Sequence, residues 1–206
     1  MLPARLRVMN ALFSLRLSSR LCAPPTAVSC TAGTPWYADE GAPALTFSCT
    51  ACGGCCSGES GLVLFSRNEA ARMAAKLGLS TGAFYETYAH RASTQGTIKA
   101  KRAWSLKEVP SKHGLDCALL GAGRKCRVYD ARPMQCSTYP LWRENVATEE
   151  SWEEVKRECP GVRRRDGRPL SAEHIARTLE ELDAYWESIE GEAAEDEAGY
   201  QRERER

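Results

Sequence analysis

Four cysteines fall within eight residues in the stretch FSCTACGGCC: Cys49, Cys52, Cys55 and Cys56. Two overlapping C-x2-C steps bring thiolates close enough to share one metal ion or one iron–sulfur cluster. Small residues between the cysteines keep the loop tight, and Gly53-Gly54 supply backbone conformations that larger residues resist. Cys55 and Cys56 are adjacent, and neighbouring side chains usually diverge, so these two need not bind the same ion. Four more cysteines follow at Cys117, Cys126, Cys136 and Cys159. A domain seldom carries eight thiols over such a span unless something binds them.

Metal binding, disulfides and redox catalysis are the three uses open to these thiols. The even count suits disulfides, but the chain is not a small secreted one with a recognisable signal peptide. A thioredoxin-type C-x2-C needs a strand–motif–helix setting and no crowd of further thiols. A thiolate is a soft anionic ligand suited to zinc and to iron–sulfur clusters, and metal binding is the reading the spacing favours. C-x2-C-x2-C with a later Cys159-Pro160 is similar to the bacterial ferredoxin run, but Cys56 intrudes and the Cys-Pro lies about a hundred residues on. The two separated C-x2-C pairs of a zinc ribbon are absent. The spacing therefore speaks for thiolate coordination and leaves zinc and iron both open, the iron as ions or as an iron–sulfur cluster.

Eight thiols make two four-cysteine sites, or one such site and a second, more open centre. Four thiolates on Zn²⁺ leave a formal charge of −2, which favours a nearby cation. Arg132, four residues before Cys136, is the candidate for that place. His90, His113 and His174 read as surface or partly buried residues rather than ligands, His113 being the best placed, four residues before Cys117. No phosphate loop, nucleophile elbow or H-E-x-x-H run occurs.

A net charge of +1 gives no bias toward nucleic acid, and no apolar stretch is long enough for a membrane span. The charge is unevenly placed. Arg5, Arg7, Arg16 and Arg20 precede the first acid, Asp39, and without those four arginines the net charge becomes −3. Residues 1–35 are Arg-bearing, Ser/Thr-rich and acid-free, the composition of a mitochondrial or plastid transit peptide; without that address the chain would be cytoplasmic. Cys22 and Cys30 lie there and are given no metal role.

Residues 36–46 read as a linker and 47–162 as the cysteine-bearing domain. Leu62–Phe65 is a short apolar run, a strand or core segment. Ser66-x-x-Glu69 predicts a capped helix through Leu77, with Gly78 as its C-cap. A second helix begins near Ser80 or Thr81, with Phe84 and Tyr88 on one face. Residues 97–109 read as strand, ended by Pro110, and a hairpin over 117–129 is expected to bring Cys117 and Cys126 together. Ile175, Leu179, Leu182, Trp186 and Ile189 form one stripe of a helix over 163–190 that packs on the domain. Residues 191–206 read as a charged tail, disordered or a solvated extension of that helix. The fold class is α+β: a small, irregular, cysteine-rich metal-binding domain with a helix pair, a short antiparallel sheet and a C-terminal helix.

The ordered motifs are Cys49-x2-Cys52-Gly53-x-Cys55-Cys56, the helix pair SRNEAARMAAKLGLSTGAFYETY, Cys117-x8-Cys126-Arg127-Val128-Tyr129-Asp130-Ala131-Arg132-Pro133-x2-Cys136, Tyr139-Pro140 and Cys159-Pro160-Gly161. In this order they resemble the YkgJ family, also called CxxCxxCC or zinc- or iron-chelating domain proteins. The resemblance covers residues 47–162 and implies zinc or iron, as ions or as an iron–sulfur centre, on the eight matching cysteines. Some relatives are associated with lysine N-methylation of flagellin, so an iron–sulfur enzyme such as a protein lysine N-methyltransferase is the alternative to a metal-binding protein without catalysis. This chain offers no recognisable substrate or cosubstrate site for that reaction. Metal ions are the partners expected; a protein partner or substrate is not legible.

Overall fold

The computed structural model of the chain describes residues 34–38, 45–92, 102–164 and 166–204. Residues 1–33 of the segment expected to be a transit peptide, with Cys22 and Cys30, residues 39–44 of the linker and residues 97–101 of the expected strand lie outside the described residues.

Helix α1 (Arg67–Leu77) starts where its cap demands. The Ser66 hydroxyl accepts from the Glu69 N–H, and the Glu69 carboxylate accepts from the Ser66 N–H at 2.8 Å. Two otherwise orphaned donors are satisfied reciprocally. Gly78 closes the helix in the left-handed region at φ 70°. Ser80 caps α2 (Thr81–Tyr88), and the Phe84 and Tyr88 rings stand 5.8 Å apart on one face. Phe65, Met73, Phe84, Leu106, Leu119 and Val128 form the first core under this pair. Each such side chain contributes about 1.5–3 kcal/mol by leaving water.

Three small antiparallel sheets follow. Strand β3 (Ala89–Ala92) pairs with β4 (Ala103–Leu106). Strands β2 (Ser57–Gly58), β6 (Gly114–Cys117) and β5 (Glu108–Ser111) lie in the order β2-β6-β5. Strand β1 (Thr46–Phe47) pairs with β7 (Arg168–Pro169). Pro110 does not end the strand, as expected, but sits within β5 opposite Leu115. Because β5 is a sheet edge, the missing N–H interrupts no inner ladder. The expected 117–129 hairpin is also not formed as paired strands. Strand β6 is already flanked by β2 and β5, so only the isolated bridge Leu120↔Cys126 closes the 121–125 loop. His90, expected at a helix end, lies in β3.

Three short helices separate the last cysteines: α3 (Met134–Thr138), α4 (Arg143–Val146) and α5 (Glu149–Glu158). The sequence reading did not resolve them. With α6 (Ala172–Arg204), α4 and α5 build a second core around Leu141, Trp152, Val155, Val162 and Ile175. The predicted stripe of α6 is buried in order: Ile175 and Leu179 in this core, Leu182 against Trp142, and Ile189 against Leu64 and Ala103. The helix then continues through Arg204, so of the two readings of the charged tail from residue 191, disorder and a helix extension, its described part follows the second. Ala193 is buried, and Asp196 pairs with Arg67 and Arg91. Charges that looked solvated in sequence meet opposite charges on α1 and β3. The architecture is α+β, with helices and small antiparallel sheets held by a long C-terminal helix.

Candidate metal centre

The eight cysteines reach one place from separate parts of the fold. Cys49 follows β1, whose end is tied to the Cys159 turn by the Ser48 N–H donating to the Gly161 carbonyl at 3.1 Å. Cys55 and Cys56 lie in a 3-10 turn that begins after Gly53, which adopts φ 68°. Cys117 ends β6, and Cys126 sits at the bridge beyond it. Cys136 is in α3, and Cys159 is the C-cap of α5. Cys117 and Cys126 pack against the first core, Cys159 against the second, and Cys55 against Trp142 and Leu182. The thiols therefore gather where the cores meet.

All eight line a single cavity of about 90 Å³, together with Arg124, Arg132, Tyr129 and Tyr139. No disulfide joins any of them. The Cys55 and Cys56 sulfurs do not diverge as adjacency suggested; they stand 3.9 Å apart. Among the described residues, no three His, Cys, Asp or Glu side chains close on one ion-sized point. The sulfurs thus form walls around a volume rather than a finished tetrahedron. None of the three histidines lines the cavity; His113 and His174 are exposed.

The surroundings act on the thiols in two directions. The hydrogen bond from Cys56 pulls Cys55 down to about 7, against burial, with the Arg132 charge assisting. The same bond and burial push Cys56 up. Burial pushes Cys136 well up, and the neighbouring thiols Cys117, Cys55 and Cys126 add to it. Burial also raises Cys126 and Cys159. Backbone N–H groups also point at sulfur: Ala51 donates to Cys49 and Gly54 to Cys52, each at 3.4 Å. Backbone hydrogen bonds from Val128 to Cys126 and from Gly161 and Val162 to Cys159 oppose burial at those thiols, as does the Arg132 charge at Cys126 and Cys136. A donor set of soft thiols with N–H···S bonds and cations at the wall suits zinc or iron.

Arg132, singled out in the sequence, does line the cavity, its guanidinium 3.6 Å over the Tyr129 ring. Three positioning residues were not legible. Arg124 donates to the Cys52 and Gly53 carbonyls at 3.2 and 3.0 Å and to the Ser57 hydroxyl at 3.0 Å, clamping the cysteine loop. Gln135 is fully buried; it accepts from the Leu64 N–H at 2.9 Å and donates to the Leu62 carbonyl at 3.0 Å, fixing the helix that carries Cys136. Glu69 serves more than its cap: it accepts from the Met134 N–H at 2.7 Å and the Tyr185 hydroxyl at 2.8 Å. The only signal for Gln135 was adjacency to a cysteine, and Glu69 read as a local cap alone.

No solved structure matches the chain. The CxxCxxCC family model, described as “Putative zinc- or iron-chelating domain”, matches residues 48–160, more than half of the chain and all eight of the clustered cysteines. The gathered thiols and this match agree, and the chain belongs to the CxxCxxCC family of zinc- or iron-chelating domains.

Proposed function

We propose that Cys49, Cys52, Cys55, Cys56, Cys117, Cys126, Cys136 and Cys159 together hold zinc or iron in a thiolate centre of more than one metal atom. The observation that carries this is the lining of one cavity by all eight. A single tetrahedral ion takes four ligands, so eight thiols exceed what one ion uses. Two sulfurs at about 2.3 Å from one tetrahedral ion stand about 3.8 Å apart. The 3.9 Å between Cys55 and Cys56 is compatible with their sharing an ion. Arg132 offsets part of the thiolate charge. Bound metal crosslinks the cysteine loop, β6, α3 and α5, and so contributes folding free energy directly.

The test is anaerobic purification, elemental analysis and a visible spectrum. Two or more zinc ions per colourless chain support a zinc centre. A brown chain that bleaches in air supports an iron–sulfur centre and with it the enzyme reading. Single Cys→Ser variants of Cys117 and Cys159 should each lower metal content. A chain that stays folded and metal-free after anaerobic purification, or wild-type metal content in both variants, refutes the eight-thiol assignment.

A further inference from the structure

A second chamber of about 350 Å³ opens beside the thiol cavity. The two are continuous and share most of their lining: Cys49, Cys55 and Cys136, the rings of Phe47, Tyr129 and Tyr139, and Arg132. Arg168 borders only the larger one. Its volume lies in the range of small-molecule sites. No carboxylate is among the described residues lining it. Phe47, Tyr129 and Tyr139 supply aromatic walls.

Several arginines elsewhere on the molecule are held by carboxylates. Arg67, Arg91, Arg102, Arg143 and Arg164 each face a carboxylate. Among the described residues, Arg132 and Arg168 form no ion pair with a carboxylate. The Arg132 Nε is buried without a hydrogen-bond partner. A counter-charge to the thiolates accounts for Arg132 but not for Arg168, which does not line the thiol cavity. Two guanidinium groups at one aromatic-walled chamber match a ligand with an anionic end and an apolar body, since guanidinium binds carboxylate and phosphate oxygens through charge-assisted bonds.

We propose that this chamber binds a small organic oxyanion, a carboxylate or phosphate on an aromatic or apolar body. Arg168 and Arg132 hold the charged end, and the body lies against the rings beside Cys49, Cys55 and Cys136. Only that last placement rests on the thiol-centre reading. Arg168 is the residue to test, because its backbone N–H makes the bond to Ser48 and its side chain is exposed.

The full chain, purified anaerobically with its metal, is titrated calorimetrically with phenyl phosphate, benzoate and neutral benzyl alcohol at fixed ionic strength. At least one anion should bind saturably and benzyl alcohol should not; which anion wins distinguishes phosphate from carboxylate recognition. Arg168→Ala should weaken binding about tenfold or more, Arg168→Lys less, and Arg168→Glu should abolish it. Absence of saturable anion binding up to about 10 mM overturns the proposal. So does unchanged affinity in Arg168→Ala with its circular dichroism intact. Elemental analysis of the same samples reports the thiol centre separately, so loss of one reading does not disguise loss of the other.

Discussion

Replacing Gly53 by alanine isolates how the cysteine loop is held. Gly53 lies at φ 68°, ψ 10°, a left-handed conformation that costs an L residue about 1–2 kcal/mol. A Cβ there would stand 2.6 Å from the Arg124 carbonyl oxygen, 3.0 Å from the Arg124 Cβ and 3.2 Å from a Leu120 methyl. The nearest atom is backbone, and the Arg124 side chain is itself bonded back to the Cys52 and Gly53 carbonyls, so retreat disturbs the clamp. Overpacking of this kind costs about 1–3 kcal/mol, giving a total of about 2–5 kcal/mol. Gly78 is the control: it has φ 70° but nothing within 4 Å of an added Cβ, so Gly78→Ala carries the backbone cost alone. The two variants should therefore differ by about 1–3 kcal/mol in urea unfolding at fixed metal concentration. Gly53→Ala should also lose metal while Gly78→Ala retains it. Equal destabilisation, or full metal in both, would show that the Arg124 contact does not constrain the loop.

Gln135→Leu strands the Leu64 N–H and the Leu62 carbonyl and should destabilise by about 2–4 kcal/mol in chemical denaturation; a loss below about 1 kcal/mol contradicts its role in fixing α3. Burial acts to raise the Asp196 carboxyl, but hydrogen bonds from Arg91 and Arg67 outweigh it and hold the group below its usual range. Its contribution is thus fully present above the ordinary aspartate value of about 3.9 and lost as pH falls through the lower folded value. Hydrogen exchange at the end of α6 should accelerate below about pH 4, and Asp196→Asn should exchange fast already at neutral pH; a wild-type profile in the variant refutes the anchoring. Raised thiols such as Cys126, Cys136 and Cys159 are protonated in the metal-free chain at neutral pH, so each must release a proton to bind. Metal affinity measured by chelator competition should rise with pH, about tenfold per unit for each proton released, and pH-independent affinity would contradict thiolate ligation.

The local part of the fold was legible because its causes are local. A serine three residues before a glutamate satisfies helix donors within one turn, and both helices of the pair begin at the predicted caps. The stripe from Ile175 to Ile189 repeats at helical spacing and is buried along its length, Trp186 less completely than the rest. The strand near Pro110 and the 117–129 hairpin were misread because pairing depends on which strand arrives alongside, and β2 comes from nearly sixty residues earlier. The end of α6 was left open between disorder and a solvated helix for a similar reason: its acids look solvated until Arg67 and Arg91 meet them.

The sequence by itself determined that soft-metal chemistry suits these cysteines and marked them as a candidate set, because ligand type and tight C-x2-C spacing are properties of the chain. Only the tertiary structure decided that Cys117, Cys126, Cys136 and Cys159 face the first four across one cavity. It also decided that Cys55 and Cys56 turn together, and that Arg124, Gln135 and Glu69 brace the walls. Those relations join positions tens of residues apart. They exist once apolar burial has packed the elements together, and no local spacing encodes them.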